Sequence, residues 1–186
     1  MFVRTERLTL RPVWREDATE LSRAIGHESV VRNLSKVPWP YALGDAIAFV
    51  ERREQTPGGT FFLICEHQHG ATPIVGGMGI HPLEDGNHEF GYWLTPSAWG
   101  RGIATEAGRA VLRTARDTLR LKHLVAGHFV DNPASGRVLR KLGFRPTGRI
   151  EPHTCLARGI EVPCAGFEVD LCANEMANDP DARMAA

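Results

Sequence analysis

The chain has no net charge. Its 22 lysines and arginines equal its 22 aspartates and glutamates, and its pI is near 7.1. Without an extended basic field, nucleic acid is excluded as the expected partner. Arg109, Arg113, Arg116 and Arg120 recur, but at the spacing of a helix's solvated face. Long hydrophobic runs are also missing. None approaches the ~20 residues needed to cross a bilayer, and the opening Met-Phe-Val-Arg-Thr-Glu-Arg has no apolar signal core, so no membrane partner is expected. Cysteine is sparse. Cys65, Cys155, Cys164 and Cys172 form no Cys-x-x-Cys pair, and no histidine at ligand spacing completes a zinc set, so no metal is expected. Cys65 lies in an apolar run and reads as a buried free thiol; the others are late and irregularly spaced. Reduced thiols in a soluble, cytoplasmic protein are the expectation.

What the chain does have is length for one domain, 186 residues, and 19 glycines. Residues 1–172 read as a single domain and 173–186 as a polar, disordered tail. The most telling glycines lie in Glu89-Phe-Gly-Tyr-Trp-Leu-Thr-Pro-Ser-Ala-Trp-Gly-Arg-Gly-Ile-Ala-Thr-Glu-Ala107. A short alternating run meets Pro96, then a Gly-x-Gly turn, then a long helical pattern. The first N–H groups of a helix lack intrahelical acceptors, and the aligned peptide dipoles add positive charge there. Gly100 and Gly102 allow positive φ and close backbone approach. A diphosphate suits such a site. The dinucleotide fingerprint fails because Thr105 stands where its third glycine belongs, and no Gly-Lys-Ser/Thr makes a nucleotide P-loop.

The rest of the pattern predicts a mixed α/β domain. Strands are expected at Arg7 to Val13, Phe61 to Glu66, Ile74 to His81, His88 to Leu94, His123 to Val130, Pro146 to Glu151 and Pro163 to Leu171. Helices are expected at Asp17 to Ile25, Gly44 to Arg53 and Ile103 to Leu119. A further helix begins at Asp131 or Asn132, with Pro133 in its first turn, and ends at Gly143. Pro38-Trp-Pro-Tyr41 reads as a rigid aromatic loop, and Pro57-Gly-Gly59 and Glu84-Asp-Gly-Asn87 as turns. An antiparallel meander then leads into a β-α-β unit whose parallel strands are 88–94 and 123–130. Gly76, Gly77 and Gly79 within one strand signal a bulge or the close approach of another group.

Tyr-Trp-Leu-x-Pro followed by Trp-Gly-Arg-Gly-Ile-Ala-Thr-Glu-Ala resembles the acetyl-CoA loop of the GNAT N-acetyltransferase superfamily, in its RimJ/RimL-like branch, which acetylates protein N-terminal amines. Asp131-Asn-Pro-Ala-Ser-Gly-Arg-Val-Leu-Arg-Lys-Leu-Gly-Phe144 is similar to that branch's Asn-x-x-Ser helix, and Thr5-Glu-Arg-Leu-Thr-Leu-Arg-Pro12 to its first strand. The likeness runs from about Thr5 to about Leu171. It implies a mixed, mostly antiparallel central sheet with flanking helices, in which the parallel pair splays apart and receives the pantetheine arm.

The resemblance also implies a site. The backbone of Gly100, Arg101, Gly102, Ile103, Ala104 and Thr105 would hold the diphosphate, with the Arg101 side chain adding a charge-assisted contact. Ser97 stands where the family motif begins with Gln or Arg, so one long polar contact is lost there. Trp93, Leu94 and Thr95 would pair with the pantetheine amides, and the N–H of Leu94 or Thr95 would face the oxyanion. Asn132 is the side-chain contact to the same arm; it also reads as a helix N-cap, and the two roles compete for one side chain. Ser135 falls near the CoA sulfur, where a hydroxyl donor helps modestly because a thiol of pKa ~8.5 leaves readily; it also reads as a first-turn serine. Glu89 matches the glutamate of the family's Ala-Glu-x-Gly-Tyr-Trp-Leu pattern and is the candidate base, against an ordinary strand carboxylate. Tyr92 points to the opposite face and reads as core. His81, His88, Trp39 and Tyr41 are candidates to line the acceptor pocket.

The expectation is an acetyl-CoA-dependent N-acetyltransferase working by direct transfer, since no cysteine sits in a motif for an acyl-enzyme. The acceptor is a primary amine, favoured as a protein N-terminal α-amine such as that of a ribosomal protein, and assembly as a homodimer fits the family. An α-amine (pKa ~7.7–8.0) asks less of the base than a lysine near ~10.4. A small-molecule amine is the alternative acceptor, although Glu84-Asp85 is too little for a polyamine's acidic pocket. A non-catalytic acyl-CoA sensor is the rival from another class.

Overall fold

The computed structural model describes residues 1–55 and 60–172. The expected turn at Pro57-Gly-Gly59 and the expected disordered tail 173–186 lie outside the described residues. One eight-stranded sheet runs in the order β1-β2-β3-β4-β5-β6-β8-β7. Its strands are β1 (Val3–Arg4), β2 (Leu8–Arg11), β3 (Thr60–Glu66), β4 (Ile74–Pro82), β5 (His88–Leu94), β6 (His123–Phe129), β7 (Arg145–Cys155) and β8 (Ile160–Asp170). All neighbours are antiparallel except β5 and β6, which are parallel and in register only at Glu89 and Val125. A full ladder would pair residue after residue, so the two strands diverge beyond that rung.

Helices α1 (Ala18–Ile25), α2 (Glu28–Val31) and α3 (Leu43–Gln55) belong to one face, α4 (Ile103–Asp117) and α5 (Pro133–Lys141) to the other. The apolar run of β3 serves both. Phe62 and Ile64 pack with Ile103, Ala107 and Val111 of α4, while Leu63 and Cys65 pack with Leu21 and Ile25 of α1 and Val50 of α3. A strand covered on both faces needs apolar residues at every position, which is why this run does not alternate. Helix α4 buries Ile103, Ala107, Val111 and Ala115 at the 3.6-residue period. Helix α5 is capped by Asn132, whose side chain accepts from the Ser135 N–H. At its end Gly143 takes φ 91° and donates to the Arg140 carbonyl, and the buried Phe144 donates to that of Leu139. This pair of bonds is a Schellman ending.

The structure departs from the sequence reading mainly at the C-terminal hairpin. Strands β7 and β8 extend well beyond the expected ends. Pro152 and Pro163 stand opposite each other in register, so both missing donors fall on one rung and the ladder continues. Helix α4 stops at Asp117 rather than Leu119, and Arg120 then takes φ 56°. Strand β1 and helix α2 are too short for periodicity to reveal.

Candidate active site

Strand β5 positions the site, and its backbone explains how. Thr95 donates its N–H to the Val75 carbonyl at 2.9 Å. In an antiparallel ladder such pairs alternate, so the polar groups of Leu94 and Tyr92 point away from β4 and toward the gap beside β6. Of the two N–H groups considered for the oxyanion, that of Leu94 therefore faces the gap while that of Thr95 is committed to β4. Trp93 lies in register with Gly77, so its backbone belongs to the β4 ladder as well. The Leu94 carbonyl accepts from Trp99 Nε1 at 2.9 Å, which folds the chain back into the glycine turn.

Gly100 and Gly102 have φ of 72° and 78°, and Gly102 caps α4. The N–H groups of Gly100, Arg101, Gly102, Ile103 and Ala104 have no acceptor among the described residues, whereas those of Thr105 and Glu106 donate to the Gly102 carbonyl at 3.1 and 3.0 Å. A Cβ built on Gly100 would meet nothing within 4 Å, so the turn opens onto free space. Consecutive unpaired donors at the positive end of a long helix are the requirement for a diphosphate, and the residues present fit that group.

Two ion pairs hold this turn. Arg7 binds Glu106, with Nε 2.7 Å from Oε2, and its Nη1 donates to the Arg101 carbonyl at 3.1 Å. Thr5 Oγ1 donates to the same glutamate at 2.6 Å. Arg101 clamps the buried Glu66 at the end of β3, with Nη1 3.0 Å from Oε2. Burial works to raise the Glu66 pKa, but hydrogen bonds from Gln68 and Arg101 and the arginine charges outweigh it and hold the carboxyl below its ordinary value. The Arg101 side chain, expected on phosphate, is thus tied to Glu66. Arg7 and Glu66 carried no glycine-loop signal of their own; only the fold brings them there.

The pleat of β5 sends its side chains to two places. Tyr92 goes to the α4/α5 face and donates its hydroxyl to Ser135 Oγ at 3.0 Å, leaving the serine hydroxyl free to donate onward. Burial raises the Tyr92 pKa against the opposing Ser135 bond, so the phenol stays protonated near neutrality. The sequence reading placed Tyr92 in the core. It does pack beside Phe90, with ring centroids 6.1 Å apart, but its hydroxyl joins Ser135. Asn132 holds the first turn of α5 through its Oδ1 at 3.4 Å from the Ser135 N–H, which leaves its amide nitrogen without a partner among the described residues.

Glu89 goes to the opposite face, with Gly91 and Trp93. His81 stands directly across from it in register. Burial, then the charges of Arg53 and Lys36, push the His81 pKa down to about 4, so the imidazole is neutral at pH 7. The Glu89 charge is felt at Cys164 of β8, whose thiol is pushed up to about 11, by burial first and then by Glu89 and Glu151. Tyr41 packs into the α1/α3 cluster that also holds Trp93, and burial lifts its pKa to about 12. Trp39 is exposed on the loop before α3. His88 falls on the Phe90 and Tyr92 face, so the pleat separates it from His81 and Glu89. The close approach signalled by Gly76, Gly77 and Gly79 comes from the protein itself, from side chains at all three and also from the Trp93 and Thr60 carbonyls at Gly76 and Gly79. An added Cβ at Gly77 would stand 2.5 Å from the Phe61 ring and 2.6 Å from Trp93 Nε1.

The described fold and site define an acyl-CoA-dependent acetyltransferase architecture, and the comparisons agree. The family described as Acetyltransferase (GNAT) domain matches residues 7–145, so the chain belongs to the GNAT acetyltransferases and is an N-acetyltransferase. It is 26% identical over 160 residues to the uncharacterized N-acetyltransferase YoaA of Bacillus subtilis, covering 80% of this chain and 85% of that protein. It is 29% identical over 107 residues to the ribosomal-protein-serine acetyltransferase of Escherichia coli, covering 52% and 60% respectively. The structure of RimL, a ribosomal L7/L12 α-N-protein acetyltransferase in complex with coenzyme A, superposes with a TM-score of 0.74 over 91% of this chain and 98% of that one, at 20% identity. These likenesses bear out the RimJ/RimL-like resemblance. No described helix is long and apolar enough to cross a membrane, and no described cluster of side chains has the makings of a metal site.

Proposed function

We propose that this N-acetyltransferase moves an acetyl group from acetyl-CoA directly to a protein N-terminal α-amine. The observation that carries the reading is the division of labour across β5: a hydroxyl pair, Tyr92 and Ser135, on one face, and a carboxylate, Glu89, on the other, beside the gap where β5 and β6 part. Acetyl transfer to an amine needs a proton acceptor on one side of the carbonyl and a proton donor on the other.

When bound, acetyl-CoA supplies an activated thioester. The unpaired N–H groups of residues 100 to 104 hold its diphosphate, and the Asn132 amide nitrogen and the gap-facing groups of Tyr92 receive the pantetheine amides. The Leu94 N–H meets the charge that builds on the acetyl oxygen. Glu89 takes the proton of the incoming amine, directly or through one water. An α-amine is already partly neutral near pH 8, so it asks less of the base than a lysine does. Ser135, oriented by Tyr92, donates to the departing sulfur. The ribosomal-protein-serine acetyltransferase among the relatives supports a protein N-terminus over a metabolite.

The test is CoA release from acetyl-CoA against peptides with free N-termini and against small amines. Turnover of peptides, lost in Glu89→Gln, is the expected result. Turnover of small amines alone would overturn the protein acceptor, and tight acetyl-CoA binding with no turnover on either panel would replace the enzyme by a sensor.

A further inference from the structure

Beyond Glu89 the acceptor face holds a charge that the transfer chemistry leaves unused. Arg53, in the last turns of α3, has no carboxylate partner among the described residues. Its guanidinium meets the His81 ring, 3.3 Å from Nδ1 and 3.4 Å from Nε2. It also lies over the rings of Phe49 and Phe61, at 5.2 and 5.0 Å from their centroids. The two rings stand edge to face at 5.1 Å, forming a wall that fixes the guanidinium in place.

This is a costly arrangement for a free protein. Arg53 is half-buried, and burial together with the nearby Arg52 charge works against its charged form. Guanidinium is never deprotonated in proteins, so the charge remains. The imidazole beneath it is neutral, and the next charge felt there, Lys36, has the same sign. Aromatic faces and a neutral ring offset part of the lost hydration, while a carboxylate bound in two parallel N–H···O bonds would offset far more. An anion would complete this site.

Its position says where that anion belongs. His81 and Glu89 are opposite each other in register, with Cβ atoms about 5 Å apart by sheet geometry. Arg53 lies one imidazole further, so an amine at Glu89 is within about 10 Å of the guanidinium. An extended peptide advances about 3.3–3.6 Å per residue. The side chains of its first two or three residues therefore span the distance.

We propose that the acceptor site selects amines that carry a carboxylate close by, and that Arg53, held over His81 by Phe49 and Phe61, recognises it. For a protein acceptor, this means an aspartate or glutamate among the first residues. Cationic acceptors such as polyamines are repelled by the same residue and by Lys36. The inference rests on Glu89 marking the amine's position, as in the proposed function, and adds the substrate's charge.

The experiment measures initial rates of CoA release by the full chain with matched hexapeptides that differ only at the second residue, Asp, Asn or Lys. Spermidine and a pair of small amines with and without a carboxylate complete the panel. The expected order is Asp above Asn above Lys, with about tenfold between Asp and Asn in kcat/KM, expressed chiefly in KM. Arg53→Gln brings that ratio close to one, Arg53→Lys restores part of it, and Arg53→Glu favours the Lys peptide. Melting curves establish that each variant is folded. Silent peptides with an Arg53-dependent preference for the carboxylated small amine would overturn the protein acceptor and uphold the charge selection. Peptide turnover indifferent to charge, a ratio unchanged in Arg53→Gln, or spermidine as the best acceptor would overturn the charge selection while the transferase stands. Silence toward every amine would overturn both.

Discussion

Alanine at Gly102 tests the diphosphate site most directly. Gly102 holds φ 78°, and its added Cβ would come no nearer than 3.7 Å to Arg7 Nη2, an ordinary contact. The perturbation is therefore backbone strain with almost no steric clash. Holding an L-residue in the left-handed region costs roughly 1–2 kcal/mol. Either the loop keeps its conformation and the protein loses that stability, or the loop relaxes and binding has to restore it. The second case weakens acetyl-CoA binding by a factor of about 5–30. Gly100→Ala adds a methyl where nothing lies within 4 Å, at φ 72°, in the space assigned to the ligand, and is expected to weaken binding further. Gly86 supplies the control: it has φ 83° and nothing within 4 Å, in the hairpin at the far end of β5. Titration calorimetry with acetyl-CoA and melting curves separate the effects. Gly86→Ala should melt about 2–8 °C lower, given 2–4 °C per kcal/mol for a chain of this size, and the two glycine-turn variants lower by as much as their loop fails to relax. Only Gly100→Ala and Gly102→Ala should raise the dissociation constant. An unchanged constant in both, with the melting loss present, would place the diphosphate elsewhere.

Tyr92→Phe removes the hydroxyl that orients Ser135, and kcat should fall about tenfold, the size of one hydrogen bond, with the acetyl-CoA KM unchanged; steady-state kinetics decide. Glu66→Gln breaks the ion pair that ties Arg101 of the glycine turn to β3, and the acetyl-CoA KM should rise severalfold while kcat holds. The Glu66 carboxyl sits below its ordinary value in the folded state, so the stability it contributes is complete above about pH 4.5 and lost as pH falls further. Glu66→Gln should flatten that acid limb. His81 has the same sign. It is neutral in both states at pH 7, but between about 6.5 and about 4 only the unfolded chain takes up a proton, so stability falls across that window. Melting temperatures against pH should show His81→Gln losing less over it, and an identical slope would mean the ring is more accessible than its surroundings indicate.

The sequence by itself determined the features whose signals are local. The glycine turn, the caps of α5, the apolar stripe of α4 and the order of strands and helices follow from φ preferences, capping chemistry and periodicity, each set by a few neighbouring residues. So did the candidate roles of Gly100, Gly102, Ser135 and Glu89, because they sit in motifs. Tertiary structure decided what depends on side chains distant in sequence. Strand alternation put Tyr92 opposite Glu89, but only the packing of α5 brought Ser135 to its hydroxyl. The same alternation sent His81 and His88 to different faces. Arg101 looked free for phosphate until the fold brought Glu66 from the end of β3 to it. Arg53 gave no sign in the chain, because a lone arginine on a helix is ordinarily solvated. Its meaning comes from the wall of Phe49 and Phe61 and from the neutral His81 beneath it, and burial of that kind is a property of the assembled sheet and helices, not of any single segment.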